Sequence, residues 1–294
     1  MSRTMSFVTS LPIWLCVAVA SAEGQRDSDG PVLGAKAAVA TTSFKIYNPA
    51  GRVRIVAWDR DSIVVRGHIG RGGNFFFGGG LQGMKFGVEE DSSKGKAARS
   101  DFTAYIPKGS NVSVRTVTAD IEGVGAAGWF YSVSGAIRLS GTTKSVEAES
   151  MNGNLDIDVV SPWIRARTGD GHLLIRGAPQ DVDAATIAGT MDITAPSVLR
   201  GQFTSVSGDI HYIGAPAPGG IFEFSNHSGA VDMQLPRDVS GSFVLSSIVG
   251  SIENGFSGVR PAASTPHSMR LNLGRGGANV TVRTFKGQIR LRPN

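Results

Sequence analysis

Apolar and polar residues alternate along this chain in short bursts, and the bursts recur at a nearly fixed period. When Gly135, Gly153, Gly171, Gly189, Gly208, Gly229 and Gly250 are set in one column, successive spacings are 18, 18, 18, 19, 21 and 21 residues. Gly51 and Gly287 join the column at its ends, and Ala119 takes the same place one repeat before Gly135. Two residues after the column every repeat has an apolar side chain, among them Val53, Ile121, Leu155, Met191 and Ile289. Five residues before it the side chain is again apolar, as in Ile46, Val114, Phe130, Ala148 and Phe224. Three residues before it stands Ser, Thr or Asn, from Asn48 and Thr116 to Ser247 and Thr284.

Alternation on both sides of the column is the signature of strands with one face buried. The five-residue step from the polar column to the following apolar one breaks that parity, so a turn falls between them. Glycine there supplies a positive φ or room for a close backbone approach, and the Ser/Thr/Asn column is suited to bond backbone groups of the corner. No stretch shows a helical period. The pattern predicts an all-β protein, a β-solenoid (β-helix-like) with rungs of 18–21 residues. Each rung is two short strands meeting at a Gly corner, and rungs stack at about 4.8 Å.

The ends are less regular. Between Gly250 and Gly287 the spacing is about twice the repeat, and Met269, Leu271 and Leu273 fit a degenerate rung there. Between Gly51 and Ala119 lie strand-like stretches at 62–67 and 101–106, separated by a Gly/Phe-rich insertion at about 70–100. Irregular pairing, antiparallel included, is expected at both ends, because exposed edges must be blunted. The insertion carries Phe75, Phe76, Phe77 and Phe86 among glycines. It reads as a hairpin folded over the open end, or as an exposed aromatic patch; on the second reading these four are the candidate binding residues. The structural corner residues are Gly51, Gly135, Gly153, Gly171, Gly189, Gly208, Gly229, Gly250 and Gly287.

Arg3, the apolar run from Leu11 to Ala20 and the Ala20-Ser21-Ala22 site read as a signal peptide over 1–22. Residues 23–40 then form a flexible N-terminal linker, and 41–294 a single β-solenoid domain. Export to the periplasm, outer envelope or extracellular space is the expected localisation. No later run is apolar and long enough for a transmembrane segment in the mature chain.

Composition narrows the chemistry. The 39 glycines among 294 residues exceed the usual share of about 7%, but no G-X-Y period makes the chain collagen-like. The one cysteine, Cys16, lies in the signal, which excludes an intrachain disulfide and any cysteine-based zinc site. The formal charge of +5 falls to +4 without Arg3, with basic residues spread over the rungs and not grouped with aromatics as a nucleic-acid platform requires. No nucleic acid is expected as partner.

Outward positions of adjacent rungs face the same side. Glu147 and Glu149 fall beside Arg165 and Arg167 of the next rung, an opposite-charge ladder. Carboxylates recur three residues after the glycine, in Glu122, Asp156, Asp192, Asp232 and Glu253, and read as a solvated face. The histidines, His68, His172, His211, His227 and His267, share no metal-ligand spacing, so no metal or cofactor is expected. Ser93 to Lys96 matches S-x-x-K without the helix that motif works on.

The rung V-x-A-x-S-x-x-G-x-L-x-I at 146–157, with the segments DFTAYIPKGSNVSV and RLNLGRGGANVTVRTFKGQIRL, resembles the bacterial β-strand-repeat family of putative adhesins. That family is of unknown function and related to the GIN head domain of putative autotransporter adhesins. The resemblance covers Phe44 to Leu291. It implies a β-solenoid of the cell envelope with a role in adhesion, and it defines no catalytic or binding residues to carry over. The expectation is a non-enzymatic scaffold for an unidentified surface ligand, an envelope glycan or a protein, with self-association open to it. The alternatives are a parallel β-helix polysaccharide lyase or hydrolase, for which Asp181, Asp183 and Arg165 are the local cluster, and a structural envelope protein.

Overall fold

The computed structural model describes residues 30–90, 99–275 and 277–294. The expected signal peptide therefore lies outside the described residues, as does the S-x-x-K match. The described chain is all-β, 23 strands without a helix, in an extended sheet system that does not close into a barrel.

Two ladders run side by side. The first stacks β6 (Gly83–Glu90), β2 (Ser43–Asn48), β8 (Asn111–Thr116), β10 (Ala127–Ser132) and β12 (Val146–Ser150) in parallel. It continues through the second halves of β13 (Leu155–Thr168), β14 (Leu173–Thr186), β15 (Met191–Ser205) and β16 (Ile210–Asn226). The second ladder stacks β7 (Ser100–Pro107), β3 (Gly51–Trp58), β9 (Asp120–Val124), β11 (Ile137–Thr142), the first halves of β13 to β16, and β17 (Val231–Leu235). Equivalent positions align across coils, with Ile137 beside Leu155, Leu173, Met191, Ile210 and Val231 in turn. From Leu155 onward the second strand of one coil and the first of the next are continuous, where two short strands were expected. The bend between them carries Pro162, Pro179, Pro196 and Pro216, which lack the N–H a straight ladder uses.

The corners account for the glycine column. Only Gly51 of the nine has φ in the left-handed region; the others are needed for space. A Cβ on Gly153 would overlap the Gly135 carbonyl oxygen, and the same holds from coil to coil through Gly171, Gly189, Gly208 and Gly229. The polar column, buried throughout, fastens these corners. Ser150 Oγ accepts from the Gly153 N–H at 2.9 Å and donates to the Gly135 carbonyl at 3.4 Å. Asn226 accepts from the Gly229 N–H at 3.2 Å and donates to the Gly208 carbonyl at 2.9 Å.

Coil order departs from chain order at the carboxyl end. β22 (Ala278–Thr284) pairs with β16 on one side and β18 (Gly241–Ser247) on the other, both parallel. β23 (Ile289–Pro293) lies likewise between β17 and β19 (Ile252–Asn254). The Gly287 coil is thus intercalated between those of Gly229 and Gly250. Met269, Leu271 and Leu273 are not a degenerate rung: they lie on β21 (Ser268–Leu273), antiparallel to β18, with β20 (Ala263–Thr265) beyond. At the amino end β4 (Ser62–His68) is antiparallel to β7, and β5 (Gly73–Gly80) to β6. The expected linker at 23–40 is corrected in part: β1 (Val32–Ala37) pairs antiparallel with β4. Both ends carry antiparallel strands where a bare parallel edge would invite another chain.

The core fills the space between the ladders. The apolar columns are buried, with half-buried Ile252 the exception at the carboxyl end. Small Ala148, Ala166 and Ala184 occupy the middle coils, and an aromatic cluster fills the later ones. Phe203 stacks on Phe224 with centroids 4.8 Å apart, and Tyr212 meets both Phe222 and Phe224 edge-on at 5.7 Å.

Candidate functional site

The four insertion phenylalanines do not form one exposed patch. Phe86, fully buried on β6, lies 5.9 Å from Phe77 and 6.2 Å from Phe102. It is a core residue, which corrects its reading as a binding residue. Phe75 and Phe77 are half-buried and pack against that core, because alternate residues of β5 face inward. Phe76, of opposite parity, is half-exposed opposite Gly87. The hairpin puts its aromatic weight over the end of the coil stack.

A different apolar surface runs along the glycine corners. Two residues before the column stand Val117, Val133, Met151, Ile187, Val206, Phe285 and Ile248, in order of stacking. All but Val133 are exposed, Met151 by 56%, Ile187 by 59% and Ile248 by 66%. His227 occupies the same position in the Gly229 coil and stacks on Phe285 at 4.9 Å with planes 2° apart. Over nine coils this ridge is about 38 Å long at a strand spacing of about 4.8 Å. Gly169 interrupts it, leaving a hollow of about 420 Å³ lined by Met151, Thr168, Arg167, Ala185 and Ile187 among others. The signal was present in the sequence as an apolar column of outward parity, but it stands at the turn, where no strand alternation draws attention to it.

The outer face of the first ladder is polar. Glu147 and Glu149 lie beside Arg165 and Arg167 in register as the sequence predicts, and Asp183 follows Arg165 on the next coil. Arg165 meets Glu147 at 3.4 Å and Asp183 at 3.2 Å, Arg167 meets Asp183 at 3.4 Å, and Arg200 pairs with Asp181 at 2.6 Å. Asp181 raises the Arg200 pKa, by hydrogen bonding first and charge second. Arg165 also lies over Trp163, 5.5 Å from the ring centroid. Asp181, Asp183 and Arg165 are therefore brought together, and the two carboxylates line, with Trp163, Arg200 and Glu223, an open groove of about 230 Å³.

Toward the amino end the same face changes character. Trp129 and Tyr131 on β10 stack at 5.4 Å, and Arg115 lies over Tyr131 at 5.7 Å. Tyr47 is beside Arg115 in register, and Lys45 is beside both Lys85 and Ser113. The sequence showed no such grouping of cations with aromatics, because these residues come from four strands that only the stack makes neighbours.

On the outer face of the second ladder the recurrent carboxylates are paired with bases. Arg54 meets Glu122 at 3.3 Å, Arg176 meets Asp156 at 2.7 Å, His172 Nε2 lies 2.5 Å from Asp192, and Arg292 pairs with Asp232. Among the described residues no three His, Cys, Asp or Glu side chains gather as a metal site. No helix of the described residues is long and apolar enough to cross a membrane.

No protein-family model and no curated protein matches this sequence. Among solved structures, the chain is similar to a putative cell adhesion protein from Clostridium sporogenes at 9% identity. That match covers 89% of this chain and 98% of the other, with a TM-score of 0.23. It is also similar to a putative adhesin from Bacteroides fragilis at 12% identity, over 84% and 91% of the two chains, with a TM-score of 0.42.

Proposed function

We propose that the stacked coils form a β-solenoid that is exported and serves as a non-enzymatic, adhesin-like scaffold, holding a surface partner against its glycine corners. The observation that carries this reading is the exposed apolar ridge from Val117 to Ile248. Scattered exposed apolar residues are ordinary, but a row of them recurring from coil to coil, broken at Gly169, marks an interaction surface. The corner glycines bring successive coils into close backbone contact beneath the ridge. The test is binding of the purified protein to cell surfaces, compared with the triple variant Met151→Ser, Ile187→Ser, Ile248→Ser. These side chains are exposed, so the fold survives; binding falls sharply if the ridge is the contact, and unchanged binding overturns the assignment.

The second reading is a polysaccharide lyase or hydrolase, favoured by the groove that gathers Asp181, Asp183, Arg200 and Trp163. Against it, both aspartates are engaged by arginines. Incubation with acidic polysaccharides that releases neither unsaturated product nor new reducing ends would dismiss it.

A further inference from the structure

We propose that the outer face around Lys45 and Lys85 binds an acidic polysaccharide. Lys45 on β2 and Lys85 on β6 stand directly beside one another on adjacent parallel strands, both exposed. Like charges in that position destabilise a sheet. Farther along the same face the protein avoids such juxtaposition, setting Glu147 beside Arg165 and Arg165 beside Asp183. Neither lysine has an ion-pair partner among the described residues, so the repulsion is left for an anionic ligand to relieve.

Three features around the lysines say what kind of anion fits. First, the glycine run of the insertion leaves them open: Gly78 stands opposite Lys85, and a Cβ on Gly78 or Gly80 would meet nothing within 4 Å. Those two glycines are not demanded by packing, and between them Gly79, with Ser43, Gly83, Met84 and the two lysines, lines a shallow hollow of about 340 Å³. Second, the surface next to Lys45 is neutral and hydrogen-bonding, with Ser113 beside it in register. Third, one coil farther along stands Trp129, an apolar flank beside Ser113. Cations, hydroxyls and an aromatic flank in succession match a polymer that alternates carboxylates, hydroxyls and C–H faces. Single-stranded nucleic acid instead needs free ring faces for its bases, and Tyr131 already carries Trp129 and Arg115 on its ring.

This site is separate from the corner ridge and rests on the scaffold reading only for its extracytoplasmic setting. The test is affinity electrophoresis of the full chain through gels containing polygalacturonate, with neutral dextran, single-stranded DNA and anionic phosphatidylglycerol vesicles as comparison probes. Retardation by polygalacturonate, weakened by salt and absent with dextran, is expected. Lys45→Glu places opposite charges side by side and so keeps the fold, yet it weakens retardation by about tenfold or more. Gly78→Leu fills the open space and weakens it as well. Equal retardation of both variants and wild type overturns the proposal, as does stronger binding to DNA or vesicles than to polygalacturonate. Polygalacturonate binding that persists in the triple ridge variant supports the separate site. A wild-type protein that binds polygalacturonate but no cell surface leaves this proposal standing and sinks the scaffold reading alone.

Discussion

Gly189 lies against the carbonyl oxygen of Gly171 in the preceding coil, so close that no side chain fits between them. Both coils are held on either side by parallel strands, so neither can withdraw. Gly189→Ala is expected to destabilise the protein by about 3 kcal/mol or more, the scale of an overpacked site that cannot relax. Gly78→Ala, into open space, is expected to be neutral or to stabilise by up to about 1 kcal/mol. Urea midpoints of the two variants check the contrast.

The polar column makes a second prediction. Ser150→Ala leaves the Gly153 N–H and the Gly135 carbonyl without their side-chain partner inside a buried corner, at a cost of about 1–3 kcal/mol. Ser150→Thr is expected to keep most of the stability, since Thr168 fills the equivalent place and donates to the Gly153 carbonyl at 2.9 Å. A Thr variant as unstable as the Ala variant would contradict the corner-fastening role.

Removal of residues 278–294 is expected to do more than shorten the stack. In a repeat protein whose last repeat is outermost, truncation costs one interface. Here β22 and β23 lie between two coils, so their loss opens two interfaces and detaches β18 and β19 from the rest. Limited proteolysis and circular dichroism should show 236–277 protease-sensitive and the strand signal reduced well beyond the residues removed.

Tyr212 predicts an alkaline limit. Burial raises its pKa well above the ordinary tyrosine value. Above about pH 10, where an exposed tyrosine ionises, the unfolded chain gives up a proton that the folded chain keeps. Stability is therefore full below that pH and falls as pH rises beyond it. Tyr212→Phe loses a hydrogen bond to the Ala215 carbonyl of 3.4 Å but should show a shallower alkaline decline. Equal slopes for wild type and variant would remove Tyr212 as the cause.

What could be read from the sequence was whatever repeats locally. The columns at Ile46, Asn48, Gly51 and Val53 each answer to one requirement of a coil: a core side chain, a corner bond, a close approach, a core side chain again. The charge ladder of Glu147 and Glu149 beside Arg165 and Arg167 followed because those coils are consecutive in both chain and space. Coil order was not legible, since Gly287 carries the same signature as Gly229 and nothing local says which coil it touches. Met269, Leu271 and Leu273 alternate alike in a parallel rung or an antiparallel cap. VLGAKA at 32–37 is too small-sided to advertise a strand, and the Lys45–Lys85 pair depends on the insertion strand coming to lie beside β2.

The intercalated last coil also sets a schedule. A chain that emerges amino end first has made β16, β17, β18 and β19 before β22 and β23 exist. Until then two parallel edges face an empty slot, each a template for a stray strand. Completion thus waits on β22 and β23, and that coil acts as a clasp that joins β18 and β19 to the stack only after all four flanking strands have been made.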